Sequence, residues 1–106
     1  METIRQTRCE ARARIFKALG HPARMFIVEE LTKSGQCVCK LTEMLELDIS
    51  TVSKHLSVLK AAGVVRDEKR GQQVFYTLRM PCVANLFGCI DQVVRQKAQE
   101  QVCLLD

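Results

Sequence analysis

Two cysteines separated by a single residue, Cys37-Val38-Cys39, carry the sharpest chemical signal in the chain. Thiolates at this spacing can converge on one soft ion if the segment is turned or extended. Sulfur ligands select As(III), Sb(III), Cd(II), Pb(II), Zn(II) or Cu(I), whereas Mg and Ca sites require oxygen donors. The pair immediately precedes Leu41, Met44 and Leu45, whose spacing predicts a short helix starting near Val38 or Cys39. The positive end of that helix dipole favours thiolate over thiol. The plainer alternative is a pair of small buried hydrophobes.

Four other cysteines are Cys9, Cys82, Cys89 and Cys103. The last three are spaced by seven and fourteen, so they share one face of a predicted final helix. Successive positions lie about 10 Å or more apart along its axis, so no two bind one ion within a subunit. Interface packing is one role for them; a disulfide or metal role with Cys9 or a partner subunit is the other. The histidines are His21 and His55. His21 stands in a helix break, where a structural cap is expected. His55 is either a DNA contact or a helix-packing residue, and its place on a polar helix face favours DNA.

That polar face belongs to the segment DISTVSKHLSVLKAAGVV, residues 48–65. Val52, Leu56 and Leu59, with Ala62 one turn on, form an apolar stripe. The opposite face carries Thr51, Ser53, Lys54, His55 and Ser57. Asp48, or failing that Ser50, can cap the first turn, and Ala62-Gly63 ends the helix. A helix with one buried face and one polar, cationic face suits a DNA major groove. An ordinary amphipathic surface helix shows the same pattern, so the flanking segments decide.

The chain before and after this segment supplies the context. Residues 3–19 read as a helix with a ragged apolar face of Ile4, Ala11, Ile15, Phe16 and Leu19. Its arginines read as a solvated face before they read as phosphate contacts. Gly20-His21-Pro22 breaks it, and proline suits the start of a second helix that runs to about Lys33. Met25, Ile27, Val28 and Leu31 point inward there. The short helix through Leu45 and the helix from Asp48 are joined by so brief a turn that they form a helix-turn-helix pair. Beyond Gly63 the pattern alternates, and Val74, Tyr76 and Leu78 share a strand face. Lys69-Arg70-Gly71-Gln72 is a hairpin turn. A basic hairpin after a recognition helix is a wing, and Arg70 and Gln72 at its tip can reach phosphate or the minor groove. Val83, Leu86, Phe87, Ile90, Val93 and Val94 give the last helix, residues 82–104, more apolar surface than one small domain needs. Part of it is expected to be a dimer face.

The 106 residues suit a single domain spanning 1–106. With 47% hydrophobic and 26% charged residues, the chain can build a core and is not disordered. A net charge of +4 is compatible with nucleic acid without proving it. The N-terminus has no apolar core of signal-peptide length, and no stretch approaches the roughly 18 apolar residues of a membrane span. A cytoplasmic, non-membrane protein is therefore expected, with its cysteines mostly free thiols. No nucleophile–base–acid set is present, and no Cys-x-x-Cys in an α/β context, so an enzyme is not expected.

Three strings, KALGHPAR at 17–24, STVSKHLSVLKAAGVV at 50–65 and RGQQVFYTL at 70–78, carry a family resemblance over nearly the whole chain. The sequence resembles the ArsR/SmtB family of dimeric winged-helix repressors that respond to metals, metalloids or redox signals. The resemblance implies a mainly α fold with one β-hairpin, a winged helix-turn-helix, with the first and last helices pairing across a two-fold axis. It implies a homodimer bound to double-stranded operator DNA of inverted-repeat form, read by Ser50, Thr51, Ser53, Lys54 and His55, with Arg70 and Gln72 on the wing. Cys37-Val38-Cys39 is similar to the inducer site of the family's arsenic and cadmium/lead sensors. Two departures matter. Thr42 stands where the arsenic sensors have a third cysteine, and only Cys9 lies upstream where cadmium sensors supply two. The family's zinc site on the last helix needs histidines that this chain lacks there. The resemblance thus implies an inducer of As(III) or another soft ion, Sb(III), Cd(II) or Pb(II), held by Cys37 and Cys39. Cys9 of the partner subunit, rather than Cys82, Cys89 or Cys103, is expected to give the third thiolate. A thiol redox or persulfide sensor of the same fold is the alternative.

Overall fold

Proline at a first helical position separates the first two helices. α1 (Thr3–Leu19) stops at Gly20, and α2 (Pro22–Lys33) starts after His21, whose Nδ1 accepts from the Ala23 backbone N–H at 3.0 Å. This computed structural model describes residues 2–105, with side chains through residue 102. Ile27, Val28 and Leu31 of α2 are buried, as their spacing predicts. In α1, only Ala18 and Leu19 are buried. Ile4 and Phe16 are 71% and 56% exposed, so most of the ragged apolar face finds no cover within the chain.

After α2 the chain makes a strand absent from the sequence expectation, β1 (Gln36–Cys37), and passes directly into α3 (Val38–Leu45). Glu46, at φ 55°, closes α3 in the left-handed region. α4 (Ile49–Ala61) follows, capped by Asp48, whose Oδ1 accepts from the Thr51 N–H at 3.3 Å. Ser50 Oγ donates to the other carboxylate oxygen at 3.1 Å. At the far end, the Val64 N–H reaches Leu59 O and the Gly63 N–H reaches Lys60 O. This paired closure needs a left-handed residue, and Gly63 supplies it at φ 83°.

The wing is the hairpin of β2 (Val65–Arg70) and β3 (Gln73–Leu78), with Arg70 opposite Gln73. Gly71 and Gln72 are its two-residue loop, so the turn sits one residue later than the sequence placed it; Gly71 has φ 63°. β1 adds to the other side of β3, pairing Gln36 with Tyr76 and Cys37 with Phe75. The result is a three-stranded antiparallel sheet in the order β1-β3-β2. The approach is close at Gly35, where a Cβ would lie 2.9 Å from Thr77 Cγ2 and 3.4 Å from Tyr76 O.

α5 (Val83–Leu105) divides along its length. Val83 is buried and Leu86 and Phe87 pack on the core, while Ile90, Val93 and Val94 are exposed. Leu41, Val52, Leu56 and Leu59 are fully buried between the helices, so the stripe on α4 is the centre of the core. Truncating one of these leucines to alanine costs about 2–5 kcal/mol. No helix among the described residues is long and apolar enough to cross a membrane.

Candidate ligand and DNA-binding sites

The change from extended to helical backbone at Cys37 turns two side chains separated by one residue toward each other. Cys37 is the last residue of β1 and the N-cap of α3, while Cys39 lies in the first turn. Their Sγ atoms are 2.7 Å apart. With metal–sulfur bonds of about 2.3 Å, one soft ion can bridge sulfurs up to about 4.6 Å apart. The hydrogen bond from Cys39 holds Cys37 below its ordinary thiol value, partial burial opposes this, and backbone N–H groups at the helix start assist. Cys39 shifts the other way: it gives that hydrogen bond, is partly desolvated, and faces the negative charge of Cys37. Cys37 is therefore the more acidic thiol of the pair and Cys39 the less acidic.

A recess of about 180 Å³ opens beside the sulfurs, lined by Cys37, Val38, Cys39, Gln72, Gln73 and Val74. Strand pairing puts it there, because Cys37 opposite Phe75 brings the start of β3 against the start of α3. Thr42 faces inward along its own helix, with Oγ1 donating to Val38 O at 2.8 Å. Cys9 is exposed on α1, and the structure does not bring it to Cys37 and Cys39 within one chain. No group of three or more Cys, His, Asp or Glu side chains able to hold a metal forms among the described residues. Cys82 falls in the turn before α5 and Cys89 within it, both exposed. Cys103 lies in the last turn of α5, and its side chain is outside the described residues.

On α4, Ser50, Ser53 and Lys54 are exposed and Thr51 is half-buried. His55 is placed differently from a simple groove-facing side chain. Its ring lies 4.4 Å from that of His21, and its Nδ1 is 3.2 Å from an Arg24 guanidinium nitrogen. Guanidinium only donates, so Nδ1 accepts and the ring proton resides on Nε2. Arg24 Nε also donates to Ala18 O at 2.6 Å. Burial, reinforced by the charges of His21 and Arg24, pushes the His55 pKa down, so the ring is held neutral. His55 thus braces α4 against the α1–α2 corner and keeps only Nε2 for other partners.

On the wing, the Arg70 guanidinium lies 4.8 Å from the Phe75 ring centroid and 3.1 Å from Glu68 Oε2. The ring pre-orients the cation. Lys60 and Asp67, 3.0 Å apart, tie the end of α4 to β2. The sequence reading missed Arg24 and Phe75. Phe75 carried a usable signal, since it is an aromatic on the strand face opposite Val74, Tyr76 and Leu78. Arg24 carried none, because its partner is 31 residues away.

A family model described as "Bacterial regulatory protein, arsR family" matches residues 21–67, from the cap of α2 into β2. An uncharacterised HTH-type transcriptional regulator of Methanocaldococcus jannaschii is 38% identical over 85 residues, covering 79% of this chain and 96% of that protein. The arsenic resistance transcriptional regulator ArsR1 of Pseudomonas putida is 38% identical over 65 residues, covering 60% of this chain and 51% of that protein. The homodimeric winged helix-turn-helix DNA-binding domain Mb0332 of Mycobacterium bovis, described as a possible ArsR-family regulator, superposes with a TM-score of 0.78 at 26% identity, covering 95% of this chain and 93% of that one. A helix-turn-helix flanked by a wing, matched over these lengths, fixes the assignment. The chain belongs to the arsR family of bacterial regulatory proteins, which are DNA-binding winged-helix transcriptional regulators and not enzymes.

Proposed function

We propose that this repressor leaves its operator when Cys37 and Cys39 coordinate As(III) or a related soft ion such as Sb(III), Cd(II) or Pb(II). The observation that carries the reading is the convergence of the two sulfurs, 2.7 Å apart, at the start of the helix that packs on α4. The arsenic-resistance regulator among its relatives supports the choice of ion. Residues 1–106 act as one DNA-binding unit, and α1 and α5 pair it with a second copy. The exposed Ile4, Phe16, Ile90, Val93 and Val94 are the apolar surface that such pairing would cover. A two-fold dimer presents its two α4 helices to an inverted repeat. Ser50, Thr51, Ser53 and Lys54 read the major groove with His55 Nε2, while Arg70 and Gln72 hold the flanking backbone. Inorganic As(III) needs a third sulfur, because Thr42 offers only a hard hydroxyl. Cys9 of a second copy is the assignment.

Ligation and DNA binding are linked as a coupling free energy of about 1–3 kcal/mol, a roughly 5–150-fold loss of affinity. Fluorescence anisotropy on the protein's own promoter DNA, with and without arsenite, Cd(II), Zn(II) and peroxide, tests the reading. Release by arsenite or Cd(II) at low concentration supports it, and indifference to every soft ion ends it.

The same 2.7 Å separation favours one second reading, thiol oxidation. Peroxide would take two electrons from the pair, forming one S–S bond and two waters. Release by peroxide alone, with a mass loss of two hydrogens, would select this reading over metal coordination.

A further inference from the structure

A groove of about 470 Å³ lies between α1 and the end of α4, with Arg24 of α2 also in its wall. Its volume is that of a small-molecule site, about 300–1,000 Å³. Arg14, Lys17 and Arg24 line it, and no Asp or Glu does among the described residues. Arg14 and Lys17 enter no ion pair among those residues. Val58, Ala61 and Ala62 supply an alkyl surface, and Val58 is 41% exposed. Three cations in one cleft reinforce each other's potential. An inorganic anion would leave the alkyl surface wet, and an uncharged molecule would leave the cations unpaired. The groove uses the last turn of α4, whereas Ser50 to Lys54 stand on its first two. At ~100° per residue, Phe16 stands about 100° round α1 from Lys17 and about 160° from Arg14, so pairing through Phe16 does not need this side of the helix.

We propose that the groove between α1 and the end of α4 binds a small organic carboxylate with an apolar body, held by Arg14, Lys17 and Arg24, and that its occupation weakens operator binding. The coupling rests on the reading of α4 as the operator-reading helix and not on the cysteine pair. Arg24 is the link, because it belongs both to the groove and to the brace on α4. Its Nε donates to Ala18 O at 2.6 Å, and a terminal nitrogen lies 3.2 Å from His55 Nδ1. A carboxylate is a stronger acceptor for guanidinium than a neutral ring nitrogen. An occupant therefore competes with His55 for Arg24 and loosens α4 from the α1–α2 corner.

The test titrates the full chain with octanoate, acetate and octylammonium by calorimetry, and repeats the octanoate titration on the complex with promoter DNA. Octanoate is expected to bind once per chain, about tenfold or more tighter than acetate or octylammonium, since it alone satisfies both the cations and the alkyl surface. Two variants at exposed positions, the double substitution Arg14→Gln with Lys17→Gln and the single Ala61→Glu, should each weaken octanoate by a similar factor. Octanoate should release operator from wild type and equally from a Cys37→Ser, Cys39→Ser chain. Binding of octanoate no tighter than acetate, or unchanged in both variants, overturns the site. A ligand-free double variant that binds DNA more weakly, with the salt slope flatter by about two while wild type ignores octanoate, assigns the cations to DNA phosphate and also overturns it. Bound octanoate that leaves operator affinity unchanged overturns the coupling through Arg24. Promoter binding by the ligand-free wild type is measured first, and its absence overturns the reading of α4 and the coupling with it.

Discussion

Cys37 and Phe75 are partners on one antiparallel ladder, so the candidate ligand site and the wing share a sheet. The face of Phe75 in turn carries Arg70. A ligand at the cysteines therefore has two routes to DNA. One runs through α3 into α4. The other runs through the β1–β3 pair to the wing tip.

The wing route gives the first prediction. Arg70→Ala is expected to weaken binding to all DNA sequences alike and to flatten the slope of log affinity against log salt by about one. Phe75→Leu keeps the strand but removes the stacking surface, and should reproduce part of the loss. Salt titrations on specific and random duplexes measure both. A sequence-dependent loss would mean that Arg70 reads bases.

Ser53 and His55 should fail in different ways. Ser53→Ala removes the proposed base contact and is expected to cost about 1–3 kcal/mol on the preferred operator, with relaxed specificity. His55→Ala breaks the Arg24 brace, so it should lower thermal stability as well as affinity. Calorimetry beside binding curves separates them. Both variants binding normally while folded would remove this face from the DNA interface.

Acidification should loosen the His55 brace. Its folded pKa is depressed, chiefly by burial and then by His21 and Arg24. An unfolded histidine titrates near ~6.5. Its contribution to stability is thus complete above that value and is lost as pH falls through the lower folded value, because the unfolded chain takes up the proton first. Urea midpoints measured from about pH 7.5 downward should fall more for wild type than for His55→Gln. Parallel curves would show that the loss comes from other groups.

Sensing and DNA binding should separate at the cysteines. Cys37→Ser and Cys39→Ser are expected to bind operator normally and to ignore arsenite. Cys39→Ala should in addition slow alkylation of Cys37 near neutral pH, since the hydrogen bond that stabilises its thiolate is gone. Full induction in either serine variant would place the inducer elsewhere.

The exposed half of α5 makes the last prediction. Val93→Glu puts a charge on a residue that is 61% exposed in the single chain. It should leave the monomer folded but shift sedimentation from dimer to monomer and abolish tight operator binding. A stable dimer carrying this substitution would show that α5 is not the pairing surface.

Most helices were legible because their signals are local. Pro22, Asp48 and Gly63 punctuate the chain, and Val52, Leu56 and Leu59 repeat at helical spacing. β1 was not legible. Two residues cannot show alternation, and Gln36 and Cys37 become a strand only because β3, some forty residues on, lies beside them. The Arg24–His55 contact is hidden for the same reason. The cysteine pair was readable as chemistry, whereas the recess beside it depends on that long-range pairing. On α1, the apolar residues were visible, but spacing cannot say whether its own chain or another covers them.

Cys37 is only half-buried and Cys39 is exposed, and neither is among the residues that form the core. Under the proposed reading, the stimulus detector is thus an appliqué on the scaffold. Exchanging residues 37 and 39 for other donor types should retune which chemical signal is detected without rebuilding the operator-reading helix. New responses can therefore arise here by one or two codon changes, with the regulated promoter kept the same.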